Sequence, residues 1–222
     1  MNAYNLGLLE YGDCCRLQWK LNRLRLDREI EDLLLLLEHP PAFTIGKSGN
    51  LNNILVSIDR LRREGISLFT VQRGGDVTYH GPGQLVVYPI ISLRQRGKDV
   101  HSYVYDLEEV LIRTLSDFCI NACRDKEHAG VWVNKKKVAS IGLGIRRWIT
   151  MHGFALNIDP DLERFSFINP CGYSDRETTS MSEILGFNIP MEEVKRRVIP
   201  HFSSVFDADI KTEDALEVTK YI

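Results

Sequence analysis

Cys171 sits in "FINPCGYSD", residues 167–175, between a proline and a glycine and far from Cys14, Cys15, Cys119 and Cys123. A thiol in a polar loop either packs or does chemistry. The thiolate is the nucleophile, and a neighbouring cation lowers the thiol pKa from about 8.5 by one or more units. A Cys/His arrangement of the protease type is open, with six histidines in the chain, but no papain- or caspase-like signature surrounds Cys171.

A second candidate is "RGGDVTYHGPGQ", residues 73–84. Four glycines within residues 73–83 let the backbone approach a ligand closely, and free N–H groups of such turns hold an anion or a carbonyl oxygen. Arg73 adds a fixed positive charge, and His80 a donor or base near neutral pH. The plainer reading is a pair of tight turns between strands. The segment is neither a P-loop nor a dinucleotide fingerprint, because the lysine and the glycine spacing are wrong.

The third is "NKKKVASIGLG", residues 134–144. Lys135 and Lys136 read as a solvated turn. Lys137 begins an alternating strand with one buried face, so it either snorkels at the surface or leans into a cleft. A lysine in an apolar cleft has a lowered pKa and can take a proton from a thiol or favour its thiolate.

These groups need a scaffold. The chain has 222 residues, 44% hydrophobic and 26% charged, which suits one domain with a substantial core. Its 28 basic and 30 acidic residues give a net charge of −2, so no electrostatic case for nucleic-acid binding exists. The five-leucine run from Leu33 is far shorter than a membrane span, and no secretion or transit segment is expected. Five cysteines, two of them adjacent, suit a reducing compartment. Cys119 and Cys123 are expected in the core; with His128 nearby they make at most a weak metal site.

Leucines at 17, 21 and 24 predict a helix over 13–31 with Asp13 as N-cap. "DLLLLLEHPP", "AFTIG", residues 66–72 and residues 84–93 read as strands, the last two flanking the glycine-rich turns. Apolar residues repeat every three or four positions from about 99 to 119, predicting a long helix. "GVWVNKKKVASIGLGI" predicts a hairpin turning at Asn134–Lys136, and "WITMHGFALNI" a further strand. Helices are predicted near 180 and from Pro190, the latter ended or bent by Pro200. Short hairpin-linked strands with an early and a central helix give an α+β class and one domain over 1–222.

Together the three segments resemble the lipoyl(octanoyl) transferase family, whose signature R-G-G-x-x-T, aromatic, H, two residues, G, Q reads here "RGGDVTYHGPGQ", followed by "LVVY". "EHPPAFTIG", "KVASIGLGIRRWITMHGFALNI" and "FINPCGY" match in register, so the likeness runs from about residue 38 to 175. The resemblance implies a mixed sheet flanked by helices, like the lipoate and biotin protein ligase catalytic domains. It implies Cys171 as nucleophile and Lys137 as the residue that lowers its pKa and shuttles protons. Arg73, Gly74, Gly75, Asp76, Val77, Thr78, Tyr79 and His80 match one wall of the acyl pocket; Ser140, Ile141, Gly142, Gly153, Phe154 and Ala155 match further substrate-binding positions.

The implied donor is octanoyl-acyl carrier protein. The implied acceptors are lipoyl domains of 2-oxoacid dehydrogenase E2 subunits and the glycine cleavage H protein. Neither a cofactor nor a metal is expected, nor a nucleic acid or membrane partner, and the implied location is the cytoplasm. Two rivals stand beside this reading. One is an ATP-dependent lipoate-protein ligase on the same scaffold, which needs no catalytic cysteine. The other is a non-catalytic protein that binds acyl carriers or lipoyl domains.

Overall fold

The computed structural model describes residues 1–169 and 177–222, so Cys171 lies outside the described residues. Among the described residues eleven strands fall into two sheets. In chain order they are β1 (Asn2–Leu8), β2 (Leu33–Glu38), β3 (Ala42–Ile45), β4 (Ser67–Thr70), β5 (Val77–His80), β6 (Gln84–Ile90), β7 (Cys123–Arg124), β8 (Gly130–Val133), β9 (Lys136–Arg146), β10 (Ile149–Asn157) and β11 (Lys211–Glu213). The helices are α1 (Tyr11–Leu26), α2 (Ile58–Arg63), α3 (Val100–Ser116), α4 (Met181–Leu185), α5 (Met191–Phe206) and α6 (Leu216–Thr219).

The large sheet runs β11-β1-β2-β6-β10-β9-β8-β7, parallel across β11-β1-β2 and antiparallel from β2 to β7. It is the expected mixed sheet flanked by helices. The leucine run of β2 explains the layering. Leu34 and Leu36 face one core with α3 and α5, while Leu33, Leu35 and Leu37 face another with Leu17, Leu21 and Leu24 of α1. A strand buried on both faces has no polar side, hence the unbroken apolar run. A small sheet, β4-β3-β5, closes over a third core around Phe43, Val77, Tyr79 and Phe167.

Several expectations need correction. The first helix starts at Tyr11 and ends at Leu26; Asp13 sits in its first turn and accepts from Arg16 rather than capping it. The chain leaves that helix through Arg28, at φ +63°, and so stops short of residue 31. The turns expected over 73–83 contain a strand, β5, because Val77 and Tyr79 bury against β3. Pro200 does not end α5: it lies on the exposed side, while Val198, Phe202 and Phe206 stay buried, and this packing outweighs the lost hydrogen bond. Cys119 and Cys123 are exposed, not core, and no cluster of metal-ligating side chains occurs among the described residues. No described helix is long and apolar enough to cross a membrane.

Candidate active site

The β8–β9–β10 hairpins carry one wall of a cavity of about 470 Å³. Asn134 and Lys135, at φ +50° and +69°, make the two-residue turn that sets Lys137 opposite Trp132. Lys137 lines the cavity, half-buried, with Nζ 4.7 Å from the centre of the Trp132 ring and 3.5 Å from the Ala129 carbonyl oxygen, to which it donates. Further along these strands the cavity meets Ser140, Ile141 and Gly142, and across the ladder Gly153, Phe154 and Ala155.

The opposite wall is the glycine-rich segment. Arg73 is buried: Nη2 donates to the Thr44 carbonyl oxygen at 2.7 Å and to Thr44 Oγ1 at 2.8 Å, and Nη1 to the Gly74 carbonyl oxygen at 3.0 Å. Gly142 gives this guanidinium room, since a Cβ there would fall 3.0 Å from Arg73 Cδ. The Gly74 N–H donates to the Leu143 carbonyl at 2.7 Å, stitching the segment to β9. Asp76 accepts from the Val77 N–H at 2.7 Å and from Asn53 Nδ2 at 2.5 Å. Asn53 in turn accepts from the N–H of Asn169, the last described residue before Cys171.

Gly74, Gly75, Val77, Thr78 and His80 line the cavity with Arg73 and Asp76, but Tyr79 does not. Alternation along β5 turns its ring into the small-sheet core, 5.6 Å from Phe43 and 5.4 Å from Phe165.

His80 is not a neutral-pH base. Burial pushes its pKa well below the usual histidine range, and the nearby His39 lowers it further. Gln84 Nε2 donates to the Tyr79 carbonyl and to Asn157 Oδ1, so Gln84 Oε1 faces His80 Nδ1 at 2.7 Å and Nδ1 carries the proton. His39 is likewise neutral, pushed down to about 4 by burial: Nδ1 donates to the Leu9 carbonyl at 2.6 Å and Nε2 accepts from the Tyr88 hydroxyl at 3.0 Å. Tyr11 stacks on His80 with ring centres 5.5 Å apart.

Sequence reasoning missed Tyr11, Tyr88, His152 and Trp132, all of which line the cavity. For Tyr88 a signal existed: it precedes Pro89 within an otherwise apolar strand, and proline in a central strand marks an interrupted ladder. Gly153 faces that interruption, where a Cβ would meet the Val87 oxygen at 2.2 Å. A larger cleft, about 840 Å³ between β1, the end of α1 and the segment after β6, is lined by charged side chains and holds none of the residues singled out from sequence.

The cavity is thus lined by the Lys137 amine together with the aromatic and imidazole rings of Tyr11, His80, Tyr88 and His152, and apolar side chains make up much of the rest of its wall. The profile of the family described as lipoyl protein ligase A/B catalytic domain matches residues 10–203. The chain is 47% identical over 225 residues to an octanoyltransferase of Caldicellulosiruptor saccharolyticus, covering 99% of this chain and 96% of that protein. Among solved structures it is similar to lipoate-protein ligase A bound with ATP, at TM-score 0.78 and 17% identity over 99% of this chain and 93% of that one. It is also similar to biotin protein ligase from Aquifex aeolicus in complex with biotin and ATP, at TM-score 0.56 and 14% identity, covering 93% and 70%. At these identities the two structures speak to the fold alone.

Proposed function

The chain belongs to the lipoyl protein ligase A/B catalytic domain family, and from that premise we propose that it transfers an octanoyl group from octanoyl-acyl carrier protein to a lysine of lipoyl domains. The enzyme is an acyltransferase. The observation that carries the reading is the convergence of Lys137, Arg73–Thr78, His80, Ser140–Gly142 and Gly153–Ala155 on one cavity, with chain on both sides of Cys171 tied to residues that line it.

In this reading Lys137 takes the proton of the Cys171 thiol, and the thiolate attacks the donor's thioester carbonyl. A new C–S bond forms, the carrier's thiolate leaves, and the lysine returns the proton to it. One thioester replaces another, so the step is close to neutral and needs no ATP. The ε-amine of the acceptor lysine then attacks the acyl-enzyme; its proton passes through Lys137 to the departing Cys171 thiolate, and amide formation drives the step. Acceptors are the lipoyl domains of 2-oxoacid dehydrogenase E2 subunits and the glycine cleavage H protein. Free thiols at Cys14, Cys15, Cys119 and Cys123 fit a reducing compartment, the cytoplasm.

The test is intact-protein mass after incubation with octanoyl-acyl carrier protein, without ATP or acceptor. One octanoyl adduct, released by hydroxylamine and mapped to Cys171, is expected. No adduct, but modification of a lipoyl domain once ATP and free octanoate are supplied, would make the protein a ligase.

A further inference from the structure

His152 breaks the backbone rule of its own strand. It stands inside β10 at φ +56°, the left-handed region that bulky residues avoid. Two contacts hold it there. Its N–H donates to Oε1 of the fully buried Gln18 at 2.7 Å, and its ring lies against Gly144, where a Cβ would come 3.1 Å from His152 Cδ2. The result is an imidazole carried into the cavity, 5.9 Å from Tyr88 and nearly perpendicular to it. The residue is 4% exposed, and its Nδ1 has no hydrogen-bond partner among the described residues.

The ladder fixes where in the cavity this happens. His152 pairs with Leu143 of β9, far along that strand from Lys137 near its start. At about 3.4 Å per residue, roughly 20 Å of strand separates the two positions. If acyl transfer occurs at the Lys137 end, as the proposed function holds, the tail of the acyl chain runs toward His152.

We propose that His152 sets the upper limit on acyl-chain length. The ring is wedged between Gly144 and Tyr88 and its backbone is pinned by Gln18, so it does not swing away. Nδ1 is enclosed on all sides and its partnerless burial is the same with or without a ligand, so the limit is set by contact with the ring. A chain ending short of the ring fits; a longer one must press on a side chain that has nowhere to move.

The test is calorimetric binding of octanoate, decanoate and dodecanoate to wild type, His152→Gly and His152→Asn. Glycine adopts φ +56° freely and asparagine tolerates it, so both variants suit the local backbone. Wild type is expected to bind dodecanoate at least tenfold more weakly than octanoate, His152→Gly to lose that preference, and His152→Asn to keep part of it. An unchanged ratio in both variants, or equal weakening for all three acids, overturns the proposal. This readout needs no acyl transfer, so failure of the transferase reading shows separately, as a missing adduct on Cys171.

Discussion

Lys137 and Glu177 are joined through their backbones: the Lys137 N–H donates to the Glu177 carbonyl at 2.9 Å, and the Lys137 carbonyl accepts from the Thr179 N–H at 3.0 Å. The segment from Glu177 to Thr179, downstream of Cys171, is therefore fastened to the residue proposed as the partner of that cysteine. On the upstream side Asn169 donates to the Asn53 carbonyl at 2.8 Å, and Asn53 donates to Asp76. Because main-chain groups make the downstream tie, the Lys137 side chain can be changed without cutting it.

Lys137→Met is accordingly expected to keep the fold and slow the chemistry. Removing the positive charge that Lys137 carries beside the thiolate raises the Cys171 thiol pKa, so iodoacetamide alkylation of Cys171 at pH 7 should fall by about threefold for each unit of pKa rise, the loss of thiolate being partly offset by its greater nucleophilicity. The rate should be followed from pH 6 to 10, where the variant's profile shifts to higher pH. Coincident profiles would place the lysine away from the sulfur.

Acid should destabilise this protein before its carboxylates titrate. Burial lowers His39 and His152 to about 4. Their unfolded value is near 6.5, so the unfolded chain binds more protons between these limits. The stabilisation is complete above about pH 6.5 and is lost as pH falls toward 4. Between pH 7 and 5 each of the two gives up about 2 kcal/mol, and Tm should fall by on the order of 10 °C. His80 acts in the same direction. A Tm that stays level down to pH 5 would mean these imidazoles titrate normally.

The sequence announced what depends on neighbours in the chain. The burial of β2 was legible in five consecutive leucines, and α3 in its apolar spacing; its cap, Asp99, whose side chain accepts from His101 and Ser102 N–H, was not singled out. The hairpin before Lys137 was legible too, one residue tighter than expected. Features made by distant chain were not legible. β1 was missed because its burial follows no clean alternation and its partners, β2 and β11, come from opposite ends of the sequence. β5 was read as turn because nothing local reveals a second sheet. His152 looked like an ordinary strand residue; its backbone is set by Gln18, 134 residues away.

Gly153 tests how tightly the interrupted ladder is built. A methyl group there would lie 2.2 Å from the Val87 oxygen and 2.6 Å from Pro89 Cδ, both held by the central strand β6. Gly153→Ala should therefore cost about 3 kcal/mol, as overpacking against backbone does. At Gly74 the nearest atom would be the Leu143 oxygen at 3.6 Å, an ordinary contact, and Gly74→Ala should stay within about 1 kcal/mol. Urea midpoints separate the two, and equal midpoints would mean that β6 yields at Val87.

The turn before Lys137 stores strain that one substitution should release. Asn134 and Lys135 are both exposed and both left-handed; asparagine tolerates that region, lysine poorly. Lys135→Gly creates the Asn-Gly pair that this turn type prefers, and removes no buried contact. It should stabilise the protein by about 1 kcal/mol, net of the extra chain entropy of glycine, and raise Tm by about 2–4 °C. The Arg147–Trp148 turn has the same geometry, at φ +49° and +68°, yet its second residue is a tryptophan only 37% exposed. Trp148→Gly relieves the same strain but gives up apolar burial, so its gain should be smaller or absent. If both variants gain equally, the tryptophan ring contributes nothing to the fold; if Lys135→Gly gains nothing, the first turn is not strained.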